Sequence, residues 1–267
     1  MKNKPIWICI VPCYVAALGL CLFFSIAGSK TITTLVENTP LSNRICIAID
    51  AGHGGIDGGA ESVTGIPESH INLEIAQRLD DLLHLLGYKT YMLRNADTSL
   101  HTDGNTIGAQ KISDLKHRVN LVEEQEVDLL VSIHQNTFSD KRYSGAQVFY
   151  TQKQESIDLA QMLQSNFTQF LNPGSNRKSK PAKGIFLMEK IPCPGILVEC
   201  GFLTNIQEEA LLRTDTYQKK ICSIIAATIS GNYSKAENAH KVKSPTRSRV
   251  SDFAFVIIMP CCSLQVP

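Results

Sequence analysis

Two histidines and two glutamates stand where they could share a metal ion. His53 lies in the glycine-rich stretch IDAGHGGIDGGA, directly after a short apolar segment, and His134 ends the apolar segment LLVSIH. Glu199 ends a third segment, GILVE, and Glu68 precedes a long helical pattern. Two imidazoles and one carboxylate can bind Zn²⁺ and leave a coordination position for water. A second carboxylate beside them can take the proton of that water, as metal hydrolases require.

Each of these residues, taken alone, also has a structural interpretation. His53 could be a turn residue, His134 could cap the sheet, and Glu68 could simply favour the dipole at a helix start. Glu199 differs because it lies in a segment otherwise fit for burial, and a buried acid needs a partner or a cation. The four residues together favour a site more strongly than any one of them. His70, close to Glu68, is a weaker second candidate.

Other chemistries fit the sequence less well. The glycine-rich loop could cradle a phosphate, but it lacks both the GxGxxG spacing and the GK[ST] ending. Cys200 follows Glu199 and by alternation points to the opposite side of its strand, which suits packing. The net charge of +1 over 267 residues gives no long-range field for collecting phosphates. No nucleic-acid partner is therefore expected.

Apolar segments alternate with amphipathic helical patterns through the middle of the chain. Strands are predicted at Ile45–Asp50, Thr90–Leu93, Leu129–His134, Ala146–Tyr150 and Ile196–Glu199, and helical periods at Ile71–Leu86, Leu115–Val122, Ile157–Phe170 and Tyr217–Ile229. The alternation predicts one α/β domain with a mostly parallel central sheet flanked by helices. Ligands bind such sheets at the carboxyl ends of the strands, where His53, His134 and Glu199 fall. Ser69 is the expected N-cap of the first helix.

The first 30 residues are predicted to be a separate unit. Lys2 and Lys4 precede an uncharged run over residues 5–29, which as a helix is long enough to cross a hydrocarbon core of about 30 Å. The run is interpreted as either a signal peptide, with a small-x-small cleavage site at 25–27, or an uncleaved membrane anchor. Lysines before the run predict that the remainder is exported, either secreted or anchored to the membrane.

These patterns give four predicted regions. Residues 1–30 are the signal peptide or membrane anchor, and residues 31–43 are a polar linker. Residues 44–233 are the zinc amidase catalytic domain implied by the resemblance described next. Residues 234–267 are a C-terminal extension that begins charged and without an apolar period, which predicts disorder.

Four motifs in this chain resemble those of the zinc-dependent N-acetylmuramoyl-L-alanine amidases of type 3. They are DAGHGG at 50–55, ESHINL at 68–73, SIHQN at 132–136 and LVECGFLTN at 197–205. They occur in the order of that family, and the resemblance covers about residues 44–233. It implies that His53, Glu68 and His134 are the zinc ligands and that Glu199 is the catalytic acid/base.

A narrower resemblance points to the germination-specific amidases of spore-forming bacteria. It rests on the stretches ISDLKHRVNLV, RYSGAQVFY and NRKSKPAKGIFLMEKIPCPGILVECGFLTN. It implies hydrolysis of the amide between N-acetylmuramic acid and L-alanine in spore-cortex peptidoglycan, in the space around the forespore. A partner peptidoglycan deacetylase would then complete muramic-δ-lactam, and the need for an activator protein stays open. The family's usual EKD at the first helix is here Glu68, Ser69 and His70, which changes contacts around the metal and keeps the ligand.

Two alternatives stay open from the sequence. One is another zinc hydrolase of the cell wall, a peptidase or a deacetylase, on the same scaffold. The other is a non-catalytic wall-binding protein. The absence of any one of the four site residues would have favoured that alternative. Arg94 and Arg118 either meet acidic groups of a peptide substrate or have structural roles.

Overall fold

The computed structural model describes residues 45–243, with side chains as far as residue 233. The predicted signal or anchor segment 1–30, the linker 31–43 and the last part of the C-terminal extension lie outside the described residues. Within the described part, no helix combines the length and the apolar character that crossing a bilayer requires.

Six strands and six α-helices make up the described chain. In order they are β1 (Cys46–Ala51), α1 (Glu68–Leu85), β2 (Lys89–Met92), α2 (Ile107–Glu124), β3 (Leu129–Asn136), β4 (Gln147–Tyr150), α3 (Gln154–Asn166), β5 (Lys180–Pro181), α4 (Phe186–Lys190), β6 (Gly195–Phe202), α5 (Ile206–Leu212) and α6 (Asp215–Lys243). A π-helical turn, Phe167–Leu171, follows α3.

The strands form one sheet in the order β2-β1-β3-β6-β4-β5. Neighbouring strands are parallel except for β4, which runs antiparallel to β6. The predicted α/β domain with a mostly parallel, helix-flanked sheet is therefore confirmed. The carboxyl ends of β1, β3 and β6 lie side by side at one edge, and the antiparallel β4 brings its amino end to the same edge.

Apolar side chains cover both faces of the sheet, as its continuous apolar strands require. On one face α1, α3 and α6 pack through residues such as Ile75, Leu163 and Ile225. On the other face α2 and α4 pack through residues such as Val122 and Leu187. Four cysteines, Cys46, Cys193, Cys200 and Cys222, are buried and free of disulfide bonds.

Several boundaries differ from the sequence predictions. Helix α1 begins at Glu68 with Pro67 before it, so Ser69 lies inside the first turn and is not the N-cap. Helix α2 begins at Ile107, well before the predicted Leu115, because Thr106 caps it by accepting a hydrogen bond from the Ala109 amide. The short elements β5, α4 and α5 were not predicted. Helix α6 continues past the predicted domain boundary at residue 233, to Lys243.

Candidate active site

His53, Glu68 and His134 come together at the carboxyl edge of the sheet. One potential ligand atom from each lies within 4.8 Å of the others. His134 Nδ1 is 3.0 Å from Glu68 Oε1, and His53 Nε2 is 3.4 Å from Glu68 Oε2. The two imidazole rings are edge to face, with centroids 5.0 Å apart. The carboxylate of Glu68 thus lies between two imidazoles, one from the loop after β1 and one from strand β3.

The Glu68 carboxylate is fixed by hydrogen-bond donors from three segments of the chain. Oε2 accepts from the Ala60 amide at 3.0 Å, and Oε1 accepts from the Gln135 amide and from Asn72 Nδ2, each at 3.1 Å. Burial raises the pKa of Glu68, but the hydrogen bond from His134 and the charges of both histidines outweigh it and bring the pKa to about 2. Glu68 is therefore an anion in the folded protein, as a cation ligand must be.

Glu199 projects beside this cluster from the next strand. It pairs in register with His134, and directly opposed residues on neighbouring strands point to the same face of the sheet. Its Oε2 atom is buried and has no hydrogen-bond partner among the residues that the structure describes. Burial raises the pKa of Glu199 to about 7, with His134 lowering it and Glu68 raising it by their charges. A carboxyl group with this pKa can take up and release a proton near neutral pH.

The glycines around His53 leave room for the His134 ring and the Glu68 carboxylate. A Cβ atom added to Gly52 would lie 2.2 Å from the His134 ring, and one added to Gly59 would lie 2.6 Å from Glu68 Oε2. His53 itself has a φ of 61°, in the left-handed region that non-glycine residues seldom adopt. Such strain persists only where surrounding contacts fix the backbone.

Two buried arginines supply those contacts. Arg94 donates to the carbonyl oxygens of Ala51 at 2.7 Å and Gly52 at 3.0 Å, and Arg118 donates to the His53 carbonyl at 2.7 Å. Arg118 also forms an ion pair with Asp50, at the end of β1. The sequence left two roles open for Arg94 and Arg118. The structure shows that both arginines have the structural role. The sequence offered one signal, because Asp50 is an acid in a buried apolar strand and needs a cationic partner.

Asp57 holds the imidazole of His53 from outside the cluster. Its Oδ2 is 3.0 Å from His53 Nδ1, and its Oδ1 is 2.8 Å from Lys111 Nζ on α2. Burial raises the pKa of Asp57, but the hydrogen bonds from Lys111 and His53 and their charges bring it to about 2. An anionic carboxylate on one ring nitrogen directs the other nitrogen inward, the usual arrangement for a metal-binding histidine. Nothing in the sequence around Asp57 marks it as the partner of His53.

The donor set fits a zinc ion. Two imidazoles and one carboxylate from separate segments match the ligands of catalytic zinc sites, and the unpartnered Oε2 of Glu199 faces the same region. The weaker candidate His70 does not join them, since it bonds Asp97 at 3.0 Å and is half exposed. Cys200 is fully buried on the opposite side of its strand, in the apolar core.

The strand-end cluster and the doubly covered sheet are those of an α/β hydrolytic enzyme. A sequence profile described as N-acetylmuramoyl-L-alanine amidase matches residues 47–231. The chain therefore belongs to the N-acetylmuramoyl-L-alanine amidase family, whose members are enzymes that act on peptidoglycan. The predicted family resemblance is confirmed.

Individual relatives narrow this assignment. The chain is 36% identical, over 228 residues, to the germination-specific N-acetylmuramoyl-L-alanine amidase of Bacillus subtilis, covering 84% of this chain and 93% of that protein. Its fold matches the CwlD amidase of Clostridioides difficile, solved in complex with the GerS lipoprotein, with a TM-score of 0.69 and 36% identity, covering 72% of this chain and 100% of that one. A second amidase structure from Clostridium difficile 630 matches at TM-score 0.63 and 28% identity, with 72% and 98% covered. The resemblance to germination-specific amidases is thus supported from sequence and fold.

Proposed function

We propose that this amidase is zinc-dependent and that its substrate is the peptidoglycan of the spore cortex. The observation that carries the zinc assignment is the convergence of His53, Glu68 and His134, with ligand atoms within 4.8 Å of one another. The cortex assignment is supported by the identity to the germination-specific amidase of Bacillus subtilis.

Each site residue has a distinct role in the proposed reaction. His53, Glu68 and His134 hold the metal, which when bound supplies a Lewis acid for the amide carbonyl and makes a nearby water more acidic. Glu199 Oε2 accepts the proton of the attacking water. The same carboxyl then donates that proton to the amine of L-alanine as the amide bond breaks. Its pKa of about 7 suits a group that must do both at neutral pH.

The N-terminal segment and the partners complete the proposal. We place the enzyme outside the cytoplasm, in the space around the forespore, secreted or held at the membrane by residues 1–30. Removal of the stem peptide leaves a muramic acid on which a peptidoglycan deacetylase acts to complete muramic-δ-lactam. Because the Clostridioides difficile amidase is seen with a lipoprotein, a lipoprotein of the same kind is the candidate activator here.

The test uses the full chain and purified cortex peptidoglycan, with products identified by mass spectrometry. Wild-type protein with zinc should release stem peptides that carry a free N-terminal L-alanine, and a chelator should abolish this release. Glu199→Gln should retain zinc, measured by metal analysis, and lose turnover. Peptides cut at another bond, or sugars that lose only acetyl groups, would instead assign the site to a peptidase or a deacetylase.

Three further outcomes concern the need for an activator, the role of Glu199 and the class of protein. Turnover that begins only on adding the candidate lipoprotein would support an activator. Near-normal turnover by Glu199→Gln would contradict the role given to that residue. Zinc binding without turnover under any condition would favour a wall-binding protein.

A further inference from the structure

A row of side chains leads from the proposed metal ligands to the neighbouring strand β4. His134 on β3 pairs with Glu199 on β6, and Glu199 pairs with Gln147 on β4. Opposed residues share a face of the sheet, and neighbouring strands are about 4.8 Å apart. Gln147 therefore lies about one strand spacing from Glu199 and about two, roughly 10 Å, from His134.

Arg177 is held over this end of the row. Its Nη1 donates to Gln147 Oε1 at 2.9 Å, and its Nε donates to the Ser144 carbonyl at 2.8 Å. The guanidinium carbon lies 4.5 Å from the ring centre of Phe202. Two hydrogen bonds and an aromatic ring hold the guanidinium in place. Its Nη2 has no acceptor within hydrogen-bonding distance in the described part of the chain.

The space beside Arg177 is a positively charged cleft of about 1020 Å³. Lys178 and Lys180 also line it, and neither forms an ion pair with any residue that the structure describes. Asp140 is the acidic residue that lines the cleft, and it forms an ion pair with the exposed Arg142, with 2.7 Å between Oδ2 and Nη2. The cleft thus presents three cations that form no direct ion pair within the described part of the chain.

Glu208 lies behind this cleft but forms no direct ion pair with Arg177. Glu208 interacts with Arg177 by charge, but its carboxylate is buried and accepts hydrogen bonds from the amides of Gly145 and Phe202. Burial of Arg177 lowers its pKa, and the charge of Glu208 opposes that shift. The guanidinium remains a cation at any physiological pH.

We propose that this cleft binds a carboxylate of the stem peptide, with Arg177 as its principal donor. The inference rests on the proposed amidase function. A peptide extended from the cleaved amide advances about 3.3 Å per residue, so a carboxylate on its second or third residue reaches the cleft. A guanidinium with free donors binds a carboxylate by charge-assisted hydrogen bonds. Arg94 and Arg118 cannot do this, because both are buried in contacts with the protein itself.

The experiment compares two muramyl peptides, one with free carboxyl groups on the second and third residues and one with those groups converted to amides. The zinc-loaded full chain is assayed for kcat and KM on each. Arg177→Gln should raise KM for the acidic peptide on the order of tenfold with kcat nearly kept, and should change KM for the amidated peptide little. Arg177→Lys should recover part of the loss. Lys141→Gln, which removes an exposed charge outside the cleft lining, is the matched control and should match wild type.

A binding measurement separates failure of this inference from failure of the proposed function. Calorimetry with zinc-loaded Glu199→Gln, with and without Arg177→Gln, reports affinity for the same two peptides without turnover. Selective loss of affinity for the acidic peptide supports the subsite, whatever bond the enzyme cuts. Equal effects of Arg177→Gln on both peptides, or none on either, would overturn the subsite. If wild type with zinc and the candidate lipoprotein releases no L-alanine-terminated peptide, the amidase proposal fails independently.

Discussion

Arg118 links two consecutive parts of the active-site edge, since its guanidinium pairs with Asp50 at the end of β1 and donates to the His53 carbonyl at 2.7 Å. It reaches them from α2, where its Nε also bonds Asp114 at 2.6 Å. Burial lowers the pKa of Arg118, but the two carboxylates outweigh burial and raise it. A helix that contributes none of the four predicted site residues therefore fixes the backbone of one of them.

Replacing Arg118 by Met should destabilise the protein by about 3–5 kcal/mol, because Asp50 would be left buried without a cation. Urea unfolding measures the loss. The double variant Arg118→Met/Asp50→Asn should recover part of it, since the buried Asp50 charge is then removed and only Asp114 still lacks its cationic partner. A single variant as stable as wild type would contradict the role assigned to this ion pair.

Replacing Asp57 by Asn should weaken zinc binding by about 10-fold to 100-fold, because His53 loses the anionic partner that orients its ring. Competition with a chromogenic chelator measures the affinity. Asp80→Asn is the matched control, because Asp80 also lies near a histidine, His84, at 3.5 Å but away from the cluster. Equal losses in both variants would mean that the effect is not specific to His53.

Replacing Gly52 by Ala should expel the His134 ring from its position, because the added Cβ would lie 2.2 Å from two ring atoms. We expect lost zinc affinity and a stability cost of about 1–3 kcal/mol. Gly108→Ala is the control, since nothing lies within 4 Å of its added Cβ on α2. That variant should keep zinc affinity and gain up to about 1 kcal/mol. Unchanged zinc affinity in the Gly52 variant would show that His134 binds from another position.

Glu199 should make the metal-free protein less stable as the pH rises. Its pKa is about 7 in the folded protein and 4.5 as a free side chain, so folding disfavours the charged form. The cost is absent below pH 4.5, grows between these values and is complete above pH 7, where it reaches about 3 kcal/mol. Glu199→Gln should remove this slope, and urea unfolding at pH 5 and pH 8 with a chelator present measures it. Equal pH slopes in variant and wild type would contradict the raised pKa.

The long helices and strands could be predicted from the sequence, and so could the convergence of His53, His134 and Glu199. The contacts that hold these residues in place could not. Strands such as Leu129–Asn136 carry enough apolar residues to be recognised, whereas Lys180–Pro181 and Phe186–Lys190 are shorter than one helical or strand pattern. His53, His134 and Glu199 could be placed because parallel strands end at a common edge. Their chemical roles stay predictions.

The contacts that hold the site residues in place could not be predicted from the sequence, for a physical reason. Arg118 meets Asp50 across 68 positions of the chain, so their pairing depends on the packing of α2 against the sheet. The Asp57–Lys111 ion pair likewise joins a loop to a helix. Asp50 is marked as special by its apolar strand, but nothing in the local sequence distinguishes Arg118, Asp57 or Lys111 from solvated surface charges.

The left-handed backbone conformation of His53 is unfavourable for folding, but it places a side chain that the proposed function requires. A glycine there would relieve strain of about 1–3 kcal/mol, yet it would also remove a predicted metal ligand. With the proposed role of His53 as a zinc ligand, selection for activity keeps a residue that selection for stability alone would replace. Where zinc binding is not required, a glycine at this position is expected to make the fold more stable, so the strained histidine itself marks the position as one kept for function.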